Sequence, residues 1–127
     1  MKLYHGTAQA FQTFNMSLAG TATADLGNET ATMGVWLTDD ISYAQDYARN
    51  AAQDGEGIVL AAEVNVQRFE RVSLRTIENN VRMFGAEGTV KMYREAGFNG
   101  LICRNQDGYP DEYCAFNPKM VRNLRIA

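Results

Sequence analysis

The chain has 127 residues, of which 46% are hydrophobic and 21% are charged, and its formal net charge is −3. This length and composition predict a single domain over residues 1–127 with enough apolar side chains for a core, and they exclude a disordered chain. The weakly acidic balance gives no electrostatic drive toward nucleic acid or an anionic membrane. Because no apolar run reaches the ~20 residues needed to span a bilayer and no signal peptide is visible, we expect a cytoplasmic protein that has no membrane partner.

The first predicted elements are a short strand over residues 2–5, which ends in the pair His5-Gly6, and a long polar segment over residues 17–34. That segment reads SLAGTATADLGNETATMG and carries almost no large apolar side chain. Loops of this length without structure of their own tend to be functional lids or disordered segments. Three interpretations stay open: a flexible lid, a disordered segment and a plain surface loop.

The periodicity of apolar residues changes twice in the middle of the chain. GVWL (34–37) is predicted to be a buried strand because it is short, apolar and bounded by glycine. From residue 41 to residue 51 apolar residues recur at helical spacing, and Thr38 or Asp39 is expected to cap this helix. The run over residues 57–66 is the longest strand signal.

The second half of the chain is predicted to hold a helical region and several short strands. The helical region covers residues 75–96 in two pieces broken at Phe84-Gly85, and Gly97 is expected at its C-cap. A short strand or turn precedes it and strands follow it, over residues 69–74, 100–103, 112–116 and 120–126. Because strands and helices do not alternate regularly, we predict an α+β domain with a mostly antiparallel sheet.

Cys103 and Cys114 flank a predicted turn and are placed where they could face each other across a hairpin. Free thiols are favoured over a disulfide, because cytosolic disulfides are rare. With one histidine and two cysteines in the chain, the about four nitrogen and sulfur ligands of a structural zinc site are not available, and we expect no metal.

Four stretches carry the candidate functional residues: YHGT (4–7), GVWLTDDISYAQDY (34–47), the long strand, and DEYCAFNP (111–118). Taken alone, each has an ordinary structural explanation, such as an edge strand, core aromatics or a solvated glutamate. In this order they resemble the ADP-ribosyltransferase-like fold, and specifically its His-Tyr-Glu branch, which includes diphtheria-type toxins and the poly-ADP-ribose polymerases. The resemblance extends over nearly the whole chain and implies a split, mostly antiparallel sheet with flanking helices.

The resemblance also implies roles for individual residues. His5, Gly6 and Thr7 match the end of the first strand in that branch, and Glu112 matches the catalytic glutamate that begins a late strand. The second block is matched by Gly34, Val35, Trp36, Leu37, Thr38, Ala44 and Tyr47. Tyr47, with Tyr43 as the alternative, is the helix tyrosine expected to stack on nicotinamide.

The chain departs from the family pattern at two positions. Trp36 stands where the branch usually has tyrosine, and its indole can stack and donate an N–H but cannot copy the hydrogen bonding of a phenol. Pro110 stands two residues before Glu112, where the arginine-modifying branch carries an acid or amide. The resemblance therefore favours the His-Tyr-Glu branch over the arginine-modifying one.

The resemblance implies NAD as co-substrate and cleavage of the bond between nicotinamide and the ribose. The expected catalytic residues are Glu112, His5 and Trp36. The expected NAD-binding residues are His5, Gly6, Thr7, Trp36, Tyr43, Ala44 and Tyr47. Glu112 would stabilise the cationic ribose and hold its 2″-hydroxyl, and His5 would bind the adenosine ribose. Gly6 would leave its backbone accessible to the nicotinamide carboxamide.

Three functions are the main ones compatible with these residues. An RNA 2′-phosphotransferase of the same fold is less favoured, because the chain is acidic and has few arginines near the motifs, and an interaction module that binds no nucleotide is a further alternative. The leading interpretation is a mono-ADP-ribosyltransferase, with a protein acceptor favoured over a nucleic acid, and the resemblance implies a toxin or effector context. An NAD glycohydrolase would use the same residues with water as acceptor. A catalytically inactive module that binds a nucleotide or a partner is the third, and Trp36 in place of tyrosine is the residue that favours it.

Overall fold

The computed structural model describes residues 1–9, 29–53, 55–105 and 108–127. Most of the predicted loop at 17–34 lies outside these residues. Its last part is described and forms a short 3₁₀ turn, Glu29–Thr32. Within the described residues there is no helix long and apolar enough to cross a bilayer.

Seven strands and two helices make up the described fold. The strands are β1 (Lys2–Thr7), β2 (Val35–Thr38), β3 (Ile58–Glu63), β4 (Phe69–Ser73), β5 (Gly100–Arg104), β6 (Glu112–Ala115) and β7 (Arg122–Ile126). The helices are α1 (Ile41–Ala52) and α2 (Leu74–Glu95), and a second 3₁₀ turn, Pro118–Met120, precedes β7.

The strands form one sheet in the order β4-β5-β6-β2-β1-β3-β7. Among the described pairs, β4 with β5 is parallel and the rest are antiparallel. The predicted α+β fold with a mostly antiparallel sheet is therefore confirmed. The parallel pair follows from the connection, because α2 carries the chain back across the sheet between β4 and β5.

Most predicted elements are present, with corrections at their ends. The N-cap of α1 is Asp40, whose side chain accepts a hydrogen bond from the Tyr43 amide at 3.1 Å. The prediction of Thr38 or Asp39 was wrong, because β2 extends through Thr38 and the chain needs two more residues to turn into the helix. The long strand ends at Glu63, three residues earlier than predicted.

The predicted break in the second helix is confirmed at Gly85, which has φ 74° and ψ 170° inside α2. The prediction of Gly97 at the C-cap was one residue off: the C-cap of α2 is Ala96, and Gly97, with φ 98°, is the next residue. The Phe98 amide donates to the Tyr93 carbonyl and the Gly97 amide to the Arg94 carbonyl, each at 3.0 Å. This pair of bonds satisfies carbonyls that the end of the helix leaves without partners.

The core is divided between the two faces of the sheet. One cluster gathers Leu3, Val35, Leu37, Val64, Phe69, Ile102, Tyr113 and Ala115. The other lies under α2 and gathers Met33, Ile77, Val81, Tyr93, Leu101, Cys103, Cys114 and Phe116. Both cysteines are buried free thiols, as predicted. Cys103 lies opposite Glu112 and Cys114 opposite Leu101, so the thiols do not face each other directly.

Candidate active site

The first strand is paired very unequally with its two neighbours. On one side β1 pairs with β3 at six positions, from Lys2–Glu63 to Thr7–Ile58. On the other side, within the described residues, it pairs with β2 at a single position, Tyr4–Thr38. Beyond that pair the described residues show no further β1–β2 pairing, and we call this part of the boundary between the two strands the β1–β2 seam. Of the residues predicted to be functional, His5, Gly6, Thr7 and Trp36 lie on the two strands that border this seam, Glu112 lies on β6 next to β2, and Tyr43, Ala44 and Tyr47 lie on α1.

His5 lies where the seam begins. Its ring forms a hydrogen bond with a backbone carbonyl of β2 that strand pairing would otherwise satisfy. Its Nδ1 atom is 2.8 Å from the carbonyl oxygen of Trp36 on β2. Because a carbonyl can only accept, Nδ1 carries the proton, and in the neutral ring Nε2 is then the acceptor. Burial lowers the pKa of His5 below its usual value of 6.5, and the hydrogen bond to Trp36 opposes this in part.

Trp36 and Glu112 lie on neighbouring strands and on the same face of the sheet. Thr38 pairs with Glu112, and Trp36 pairs with Cys114, two residues further along β6. Residues in such diagonal positions lie about 7–8 Å apart, within reach of one ligand. The fold thus places Trp36 and Glu112 in diagonal positions on neighbouring strands, and it joins His5 to β2 through the Trp36 carbonyl.

Glu112 is partly buried at the start of β6 and receives a hydrogen bond from the residue that follows β5. The side-chain nitrogen of Asn105 donates to its Oε2 at 3.2 Å. On the other side of β6 the Thr38 hydroxyl donates to the carbonyl of Asp111 at 3.4 Å.

Burial, with a further contribution from the charge of Glu112, raises the pKa of Cys103 to about 12. This thiol therefore stays protonated at neutral pH and is a poor nucleophile.

The indole nitrogen of Trp36 donates to the carbonyl oxygen of Thr30 at 2.9 Å. The acceptor belongs to the 3₁₀ turn Glu29–Thr32, so Trp36 ties that turn to β2. This indole N–H is the donor that the sequence analysis compared with the phenol of the usual tyrosine. It is therefore already used in a hydrogen bond within the protein. The ring packs against the core cluster under α2, and the side chain is only partly buried.

The two tyrosines predicted to stack on a ligand stack on each other. The rings of Tyr43 and Tyr47 are parallel to within 17°, with centroids 5.2 Å apart. Tyr109, which precedes Glu112 by three residues, meets Tyr43 edge-on at 6.2 Å. The sequence analysis did not single out Tyr109, because an aromatic residue inside a Gly- and Pro-rich turn carries no periodic signal. The structure connects it to α1.

The contact between β1 and α1 contains Gly6 and Ala44, and Thr7 lies at its border. A Cβ atom on Gly6 would fall on the carbonyl oxygen of Ala44 and only 2.6 Å from the Ala48 nitrogen. Glycine is thus required there for close packing of the helix, in addition to any role toward a ligand. Ala44 is 1% exposed and sets this packing distance. Thr7 is partly exposed at the end of β1.

The described residues contain no group of three or more His, Cys, Asp or Glu side chains that could hold a metal ion. The predicted site residues comprise one imidazole, one carboxylate and several aromatic rings. An imidazole acceptor and a carboxylate suit sugar hydroxyls, and aromatic rings suit a flat heterocycle.

A family model described as "ADP-ribosyltransferase in polyvalent proteins" matches residues 1–125. The match includes every residue placed around the seam. Comparisons with curated proteins and with solved structures gave no match. The family match and the α+β fold with its mostly antiparallel sheet agree with each other.

Proposed function

The chain belongs to this family of ADP-ribosyltransferases, and on that premise we propose that it transfers a single ADP-ribosyl group from NAD to an acceptor and releases nicotinamide. The observation that supports the proposal is the link across β1, β2 and β6: the His5 ring contacts the Trp36 carbonyl at 2.8 Å, and Trp36 lies diagonal to Glu112. These are the three positions at which the His-Tyr-Glu branch places its functional residues. We further propose that the enzyme is cytoplasmic and that its acceptor is a protein, which are the alternatives that the sequence favours.

In this reaction the bond between the nicotinamide nitrogen and the ribose C1″ breaks, and its electron pair leaves with nicotinamide as a neutral ring. The ribose then carries positive charge, as a sugar does in glycoside hydrolysis. Glu112 is the partly buried carboxylate proposed to stabilise that charge and to accept a hydrogen bond from the 2″-hydroxyl. The acceptor forms the new bond at C1″ and gives up a proton. Glu112 is proposed to accept that proton.

His5 is proposed to position the adenosine ribose and not to act as a metal ligand or a general base. With Nδ1 donating to the Trp36 carbonyl at 2.8 Å, Nε2 is the atom that accepts from a ribose hydroxyl. The lowered pKa of His5 favours the neutral ring that this contact requires. A ring held by β2 from one side is already oriented before the ligand arrives, which reduces the entropic cost of binding.

The aromatic side chains are proposed to hold the nicotinamide ring by stacking. Trp36 can contribute a ring face, since its N–H is directed to Thr30. Tyr47 lies beside Gly6, with its Cβ 3.0 Å from the position that a Gly6 Cβ would take. An offset aromatic pair contributes roughly 0.5–1.5 kcal/mol beyond burial of area. Tyr43 supports Tyr47 from behind through their stacked rings.

The test is to incubate the purified chain with NAD, to quantify free nicotinamide, and to follow labelled ADP-ribose on proteins of an added cell lysate. Wild type should release nicotinamide, and label should appear on an acceptor. Glu112→Gln should lower kcat about 10²- to 10³-fold, because it removes one transition-state contact of the oxyanion-hole size. His5→Gln should raise KM for NAD more than it lowers kcat.

Glu56→Gln is a matched control. Glu56 pairs with Arg49 at 3.2 Å, its side chain is 85% exposed, and its replacement should leave the rate unchanged. Release of nicotinamide without a labelled acceptor would mean that water is the acceptor and that the protein is an NAD glycohydrolase. Wild-type rates in Glu112→Gln would contradict the proposed role of Glu112. A wild-type chain that is stabilised by NAD but releases no nicotinamide would be a binding module instead.

A further inference from the structure

The side chain of Asn105 links the two ends of the β5–β6 hairpin beside Glu112. Its Nδ2 atom lies 2.6 Å from the carbonyl oxygen of Pro110 and 3.2 Å from Oε2 of Glu112. Both partners accept hydrogen bonds, so the atom between them is the nitrogen of the amide, and its two hydrogens supply one bond to each. One planar group thus fixes two points of the segment that carries Glu112.

The sequence around the hairpin explains why a side chain takes this position. β5 and β6 pair from Gly100–Ala115 to Cys103–Glu112, and continuing that register places Asn105 opposite Pro110. Proline has no N–H, so the ladder of backbone hydrogen bonds cannot continue symmetrically there. The Asn105 amide bonds the Pro110 carbonyl in place of a backbone donor. Its second hydrogen then points along β6 to the carboxylate.

We infer that Asn105 is a positioning residue for Glu112, holding the carboxylate in the orientation that faces the ribose. The inference rests on the proposed role of Glu112. The orientation of the Glu112 carboxylate depends on three side-chain torsions, about the Cα–Cβ, Cβ–Cγ and Cγ–Cδ bonds, and each must be fixed before the carboxylate can act. A charge-assisted bond from a half-buried amide supplies that restraint in the free protein.

The proposal predicts an effect on kcat more than on KM. Because Glu112 interacts most strongly with the charged transition state, a misoriented carboxylate lowers the rate of the chemical step while NAD still binds. Asn105→Asp is nearly the same shape but has no N–H to donate. It should lower kcat about tenfold, the lower end of what hydrogen bonds to charged groups contribute, and change KM for NAD little. Asn105→Ala removes the donor without adding charge and should act in the same direction.

A double-mutant cycle separates positioning from a general effect on folding. If Asn105 acts through Glu112, Asn105→Asp should cause no further loss of kcat when Glu112→Gln is already present. Multiplication of the two losses would overturn the inference, because it would mean that Asn105 acts on the rate by another route. Asn65→Asp is the matched control. The Asn65 Oδ1 accepts from the Gln67 amide at 3.0 Å in an exposed turn, and an aspartate keeps that acceptor.

A second measurement does not depend on activity. The side-chain amide signals of Asn105 in a ¹⁵N–¹H spectrum are identified by their loss in Asn105→Asp, and they should move in Glu112→Gln while those of Asn65 stay in place. Unmoved Asn105 signals would overturn the inference whether or not the enzyme is active. If the signals move but wild type releases no nicotinamide, the hydrogen bond is established and the proposed transferase function is what fails.

Discussion

The two sides of β1 differ sharply in how they are held. Toward β3 the strand is paired at six positions and is covered by α1, which approaches so closely that residue 6 must be glycine. Toward β2, within the described residues, it is paired once. On the well-paired side the strand ladder satisfies the backbone groups, whereas at the seam side chains must satisfy them. His5 bonds the Trp36 carbonyl for this reason.

This difference explains why the candidate residues collect where they do. Where the pairing of two strands stops, polar side chains take the place of some backbone hydrogen bonds, and the two strands are no longer held directly against each other. Such positions combine an interruption of regular structure with fixed surroundings, which is the usual setting of a functional site. The following predictions test each side of the comparison.

The largest effect on stability is expected on the well-paired side, for Gly6→Ala. Its Cβ would fall on the Ala44 carbonyl and lie 2.6 Å from the Ala48 nitrogen, and backbone atoms cannot move aside as a flexible side chain can. Overpacking of this kind costs about 1–3 kcal/mol of unfolding free energy and occasionally more. Denaturant unfolding would measure it. Thr7→Ala, one residue along, adds no atom and should cost much less; equal losses would contradict the packing argument.

The next effect is a dependence of stability on pH that comes from His5. Its folded-state pKa lies below the usual 6.5, so as pH falls through this region the unfolded chain takes up the proton first. Stability is thus greatest above about pH 6.5 and decreases below it, with a slope of at most about 1.4 kcal/mol per pH unit for one group.

His5 is the only histidine of the chain, which makes this window easy to assign. Chemical denaturation at several pH values between 5 and 7 should show the slope in wild type and a smaller slope in His5→Gln. The same slope in both proteins would mean that the His5 ring is not the titrating group.

A smaller effect is expected for Trp36→Phe, which keeps an aromatic ring but removes the N–H bonded to Thr30 at 2.9 Å. Loss of one such bond should lower the unfolding free energy by about 1 kcal/mol. The Met33 amide donates to the Thr30 carbonyl at 3.2 Å, so its hydrogen exchange reports on this turn. Exchange should become faster in Trp36→Phe; unchanged protection would show that the indole does not hold the turn.

Much of the fold could be predicted from the sequence because its signals are local. The helical spacing after residue 40, the glycine that breaks α2 and the run that forms β3 are each contained in a few neighbouring residues. The errors are at element ends, such as the cap at Asp40 in place of Thr38 or Asp39. There the length of the preceding strand decides, and strand length depends on the partner strand.

The candidate site could be predicted in part. His5, Trp36 and Glu112 were found through ordered motifs, and their roles remain predictions. Asn105 and Tyr109 were missed because each sits in a turn whose composition already explains them. Only the pairing of β5 with β6 and the contact with α1 reveal that they touch Glu112 and Tyr43.

The sequence by itself determined the α+β class, the family and the identity of the residues around which the site is built, because periodicity and ordered motifs are properties of the chain. The tertiary structure decided that β1 and β2 pair at a single position within the described residues, that the Trp36 N–H is committed to Thr30, and that Asn105 reaches Glu112. These features depend on which strands become neighbours and in what register. That choice is made by packing across the whole sheet, and no local stretch of sequence contains it.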